Sequence, residues 1–94
     1  MLFAIHMIDR PNSAELRSSV SDDHKAFVGQ HLDAMFVGGP LLADDGTTAI
    51  GSLIVMDFAD RDAAQMFIDQ EPYNKAGLFE SVTIRAFHAV VSPS

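Results

Sequence analysis

The step Asp44-Asp45-Gly46, standing between two apolar runs near the middle of the chain, constrains the fold more than any other feature. An Asp-Gly pair accepts the positive φ angles of a tight reversal, so the runs on either side are expected to fold back on each other as an antiparallel hairpin. Met35 to Ala43 is the outgoing strand and Ile50 to Phe58 the returning one. Gly38, Gly39 and Pro40 lie inside the outgoing strand. Glycine weakens regular pairing and proline removes a donor, which predicts a bulge or bend there.

The segments outside the hairpin repeat one pattern. Leu2 to Ile8 is a short apolar run closed by Asp9, Arg10, Pro11 and Asn12, and reads as a buried strand followed by a turn. Asn12 is placed to cap a helix, with Glu15 three residues on to complete a capping box. Leu16, Val20, Phe27, Val28 and Met35 then recur at the spacing of an amphipathic helix ending near Ala34. Ser21, Asp22 and Asp23 equally suit a second cap, so one helix or two, with a break around Ser19 to Ser21, both fit.

Asp60 caps the next helix, whose buried stripe is Ala63, Ala64, Phe67 and Ile68; Met56 and Met66 fit core positions. After the turn EPYNKAG, Ser81 to Val91 alternates as a last strand. Val82, Ile84 and Ala86 lie on one face, and Thr83, Arg85 and Phe87 on the other. Ser92 to Ser94 reads as a frayed end.

Strand, helix, strand, strand, helix, strand is the split unit of ferredoxin-like domains: an α+β βαββαβ fold with an antiparallel sheet carrying two helices on one face. No linker, internal repeat or low-complexity segment divides the chain, so residues 1–94 are read as one domain. Apolar residues make up 48% of the chain against 20% charged, more core-forming material than one small domain needs. A sheet face with Ile54, Met56, Phe87 and Ala89 is too apolar for water, which predicts a homodimer packed face to face.

Charge and composition exclude several functions. A formal net charge of -7, with no local cluster of Lys or Arg, opposes binding to nucleic acid or an anionic membrane. The chain has no cysteine, which removes disulfide frameworks and thiolate chemistry. The start MLFAIHMIDR has too short an apolar run for a signal peptide, and no stretch reaches the length of a membrane span, so a cytoplasmic protein is expected. The histidines other than His24 are His6, His31 and His88; His24 and His31 lie two turns apart and no HExxH pair occurs, so no metal is expected. No GxGxxG, P-loop or GxSxG pattern appears, and the chain is read as independent of cofactors.

Candidate site residues converge from three places. Arg17 and His24 are seven apart, about 20° out of line and about 10 Å along a helix axis, so both can line one cleft. Glu71 is set against Pro72, which biases it away from helical geometry and stiffens the chain beside it. A carboxylate bonded to one imidazole nitrogen fixes the tautomer and leaves the other nitrogen to take a proton, which makes His24 and Glu71 the candidate catalytic pair; a solvated carboxylate after a helix fits Glu71 as well. As an isolated residue, His24 suits a core histidine bonded to a backbone carbonyl just as well. Ser52 follows Gly51, whose missing side chain lets a ligand or another backbone come close, and its hydroxyl is suited to donate to an oxyanion, or it is simply a small residue on a crowded sheet. Arg17 can share that role through its two-pronged donor set, or can be a surface partner of Glu15 or Asp22. Tyr73 can wall the cleft or pack in the core, Pro72 beside it is counted among the substrate-binding residues, and Gly39 and Pro40, beside Gly38, are placed to form a rim.

Taken together, Arg17 and His24, GGPL at Gly38 to Leu41, DDG before a Gly-Ser strand, and EPYNKAGLFE leading into VTIR resemble the YciI-like family of the dimeric alpha-beta barrel superfamily, over nearly the whole chain. The resemblance implies a homodimer with a cleft holding a histidine and an aspartate, His24 taking the histidine position and Glu71 standing where aspartate is usual. It further implies a small enzyme, dehydrochlorinase-like or an isomerase, that abstracts a proton from a small cyclic or aromatic oxygenated substrate. A non-catalytic small-molecule-binding or stress-related accessory protein using the same cleft is the alternative.

Overall fold

A computed structural model describes residues 1–93 of the protein; Ser94, the last residue of the expected frayed end and of the expected domain, lies outside the described residues. Four strands, β1 (Leu2–Asp9), β2 (Met35–Leu42), β3 (Ala49–Asp57) and β4 (Phe79–Phe87), alternate with α1 (Ala14–Gly29), α2 (Arg61–Gln70) and a single helical turn, α3 (Pro72–Lys75). A 3-10 turn, Leu32–Ala34, leads into β2. The sheet order is β2-β3-β1-β4 and every pairing is antiparallel, the ferredoxin-like α+β arrangement.

Side-chain alternation sorts the sheet into two faces. Phe3, Ile5 and Met7 of β1, Ile54 and Met56 of β3 and Ile84 of β4 are buried toward the helices, where Ala64, Phe67, Ile68, Tyr73, Leu78 and Phe79 complete the core. Ile54 and Met56 therefore belong to the covered face, contrary to the expectation that they line the open one. The register instead gives the open face Leu2, Ala4, His6 and Ile8 from β1, Leu53 and Val55 from β3, Val37 and Leu41 from β2, and Thr83, Arg85 and Phe87 from β4. Ala89 lies beyond the end of β4.

Local chemistry explains where several boundaries move. Asn12 adopts a left-handed φ of 59°, which its short polar side chain tolerates, so α1 starts with Ser13 at the capping position and the box from Asn12 to Glu15 does not form. The helix then runs unbroken through Ser19 to Ser21 and stops at Gly29, before the 3-10 turn. Its inward positions are Arg17, Val20, Ser21, His24, Phe27 and Val28, while Leu16, expected in the stripe, is 36% exposed. Met66 also points outward, at 61% exposure. Asp60 caps α2 as expected, its carboxylate accepting from the Ala63 N–H at 2.9 Å. β4 ends at Phe87 because Val90 and Val91 find nothing to pack against and are almost fully exposed.

The hairpin forms on a loop of residues 43–48. Asp45 accepts from the backbone N–H groups of Thr47 and Thr48, each at 2.9 Å, and from the Thr48 hydroxyl, while Gly46 takes φ 76°. Pro40 is accommodated because β2 is an edge strand. The irregularities expected at the glycines fall on either side of them, between Met35 and Val37 and between Leu41 and Leu42.

Candidate active site

The small residues of β2 open a space between α1 and the β2–β3 half of the sheet. Gly38, in register with Ile54 on the helix-covered face, carries no side chain to fill it. The result is a cavity of about 210 Å³ lined by Arg17, His24 and Ser52 on its polar side, and by Val28, Leu32, Met35, Ile54 and the segment Gly38 to Pro40 elsewhere.

Glu71 closes α2 and opens α3. Its extended backbone, with ψ 127°, and the proline after it end one helix and start the next. One carboxylate oxygen accepts from the Asn74 backbone N–H at 3.3 Å; the other lies 2.6 Å from His24 Nδ1. Glu71 is 1% exposed, so this buried acid has both oxygens engaged, as burial demands. Since a carboxylate accepts, the imidazole proton belongs on Nδ1, leaving Nε2 with a free lone pair. Asn74 ties the turn back to α2 by donating from its side chain to the Ile68 carbonyl at 3.0 Å.

Arg17 meets neither Glu15 nor Asp22. Its Nε and Nη2 donate to the two carboxylate oxygens of Asp9 at 2.8 and 3.1 Å, and Nη2 also reaches the Gly51 carbonyl at 2.8 Å and Ser52 Oγ at 3.0 Å. Burial works against the guanidinium's charge, but its hydrogen bond and attraction to Asp9 outweigh that and hold its pKa above the usual value. Gly51 is needed for backbone approach and not for a ligand: a Cβ there stands 2.2 Å from the Met7 carbonyl oxygen on β1.

Tyr73 is 3% exposed and packs behind the site. Its ring stacks on His24 with centroids 4.1 Å apart, and the Arg17 guanidinium carbon lies 4.7 Å from the ring centre. Burial raises the phenol's pKa, the Arg17 charge opposing it. Pro72, expected among the binding residues, does not reach the cavity; it lines a separate surface depression with Val20, Asp23, Lys75 and Ala76. The structure thus brings together Arg17, His24, Ser52, Gly39, Pro40 and Glu71, with Tyr73 as their backing. Asp9 went unread in the sequence because, directly after an apolar run, it looks like the start of a turn. The available signal was alternation, which puts Asp9 on the same face as Met7.

Among the described residues no three His, Asp or Glu side chains gather as a metal site, and no helix is long and apolar enough to cross a membrane.

Fold and geometry define the class: a ferredoxin-like α+β domain whose cleft sits over a buried carboxylate paired with histidine. The chain matches the YCII-related domain over residues 1–88, and it belongs to that family. Protein YciI of Escherichia coli is 33% identical over 97 residues, spanning 96% of this chain and 99% of that protein. An uncharacterized protein of Haemophilus influenzae is 31% identical over 98 residues, with the same coverage, 96% and 99%. Among solved structures, 5-chloro-2-hydroxyhydroquinone dehydrochlorinase (TftG) from Burkholderia phenoliruptrix, in complex with 2,5-dihydroxybenzoquinone, superposes with a TM-score of 0.87 at 29% identity, covering 94% of each chain. An antibiotic biosynthesis monooxygenase shares the fold alone, with a TM-score of 0.56 at 11% identity, covering 97% of this chain and all of that one.

Proposed function

We propose that the protein is a small, cofactor-independent, cytoplasmic enzyme that transfers a proton on a small cyclic or aromatic oxygenated substrate, by elimination or isomerisation. The observation that carries this reading is the 2.6 Å contact between His24 Nδ1 and the fully buried Glu71 at the edge of the cavity. With Nδ1 committed to Glu71, Nε2 is the base. It takes a proton from a ring hydroxyl or carbon of the substrate, and the electron pair left behind either expels a leaving group or shifts along the ring to be reprotonated elsewhere. Ser52 accepts a hydrogen bond from Arg17, so its own proton is free to bond the oxyanion that forms. The likeness to the dehydrochlorinase favours a substituted hydroquinone-type ring, of a size the cavity holds.

Two copies are proposed to pack through their open sheet faces. The protein is strongly acidic, yet the one carboxylate among the cross-strand pairs of that face is Asp57, which is paired with the N-terminal amine at 2.7 Å. Apolar contact there meets little repulsion between carboxylates.

The test is turnover of 5-chloro-2-hydroxyhydroquinone, read as chloride release, by wild type and His24→Ala. The variant is expected to lose about 10²–10⁴-fold in rate with its assembly state unchanged, the usual contribution of a general base. Equal rates remove His24 from the mechanism, and binding of the ring without turnover of any hydroquinone points to a ligand-holding domain instead.

A further inference from the structure

Two buried carboxylates back the cavity, and the proton-transfer reading uses only Glu71. The second, Asp9, has a side chain 7% exposed and spends both oxygens on Arg17, whose side chain is itself 13% exposed. Such a two-pronged pair fixes the plane of the guanidinium as well as its position. The Gly51 carbonyl adds a third anchor, and its strand is locked against Met7 with no room for a Cβ. The guanidinium held in this way occupies Ser52 Oγ from one side at 3.0 Å. A serine hydroxyl otherwise rotates freely, but one whose oxygen already accepts a hydrogen bond has its proton turned away from that donor.

We infer that Asp9 is the positioning residue for the donor side of the site: acting through Arg17, it presents the Ser52 hydroxyl proton to the cavity, where it meets the substrate's developing oxyanion. The two halves of the site are then built alike. Glu71 orients the base, and Asp9 orients the hydrogen-bond donor at one remove. This inference rests on the proposed proton-transfer reading for its purpose, though not for its geometry.

Asp9→Asn, Ser52→Ala and the double variant are titrated with 2,5-dihydroxybenzoquinone, followed by its visible absorbance, and the structure of Asp9→Asn is determined. Each single change is expected to weaken binding about tenfold, and the double change about as much as either one, because the two residues act as one unit. In the Asp9→Asn structure the guanidinium leaves Ser52. Additive losses, or a guanidinium still bonded to Ser52 in Asp9→Asn, overturn the inference. If wild type does not bind the quinone, the proposed function falls, and the position of Arg17 in Asp9→Asn alone decides whether Asp9 holds it. Should Asp9→Asn fail to fold, Asp9→Glu takes its place in the cycle, since glutamate keeps the charge but its longer arm displaces the guanidinium; coupling with Ser52→Ala supports the inference and additivity overturns it.

Discussion

Single atoms decide much of this site. The position of Arg17 depends on Gly51 having no side chain, because the Gly51 carbonyl that holds Nη2 belongs to a residue pressed against the Met7 carbonyl oxygen. Gly51→Ala must push β3 away from β1, and is expected to cost about 1–3 kcal/mol, the usual range for overpacking. Chemical denaturation should show that loss together with weaker quinone binding, since the same displacement carries Ser52 with it. A glycine before a serine was legible as a close approach. Whether the neighbour was ligand or backbone was not, because either one excludes a Cβ equally.

At the scale of elements, the hairpin loop carries its own pH dependence. The hydrogen bonds from Thr48, side chain and backbone, and from the Thr47 N–H hold the Asp45 carboxylate down at about 2, from an ordinary 3.8. A depressed pKa means the folded loop prefers the ionised form, so its contribution is complete above pH 3.8 and disappears as pH falls through about 2. Amide exchange at Thr47 and Thr48 should therefore quicken, relative to an exposed reference amide, across that acid window in wild type, and show no such step in Asp45→Asn. Unchanged protection down to the lower limit would mean that backbone pairing alone holds the loop. Elements were the most readable scale: the strand and helix order follows from the Asp-Gly step and from the period of apolar residues. α1 was the exception in detail. Its inward stripe includes Arg17, Ser21 and His24, because that face lines a cavity as well as a core, and a hydrophobic period cannot register polar residues that point inward.

For the whole molecule, the open sheet face is where the proposed dimer forms. Leu53 lies between His6 of β1 and Gly39 of β2 in register, near the middle of that face. Leu53→Glu should yield a monomer in sedimentation equilibrium while keeping its far-ultraviolet spectrum, since the side chain points away from the folded core. A wild-type protein that sediments as a monomer would remove the proposed dimer. The expectation that one sheet face is left open was sound; its membership was misassigned, because a one-residue difference in parity moves a strand's whole set of side chains to the other side.

The residues alone determined the element order and the ferredoxin-like class, since periodicity and turn chemistry are local properties of the chain. Tertiary structure alone decided that Glu71 is buried against His24, that Asp9 and not a helix neighbour takes Arg17, and that Pro72 stands outside the cavity. Asp9 and Arg17 lie eight residues apart across a turn, and His24 and Glu71 forty-seven. Such contacts depend on how β1, α1 and α3 stack, a relation set by packing between elements and not by the sequence within any one of them.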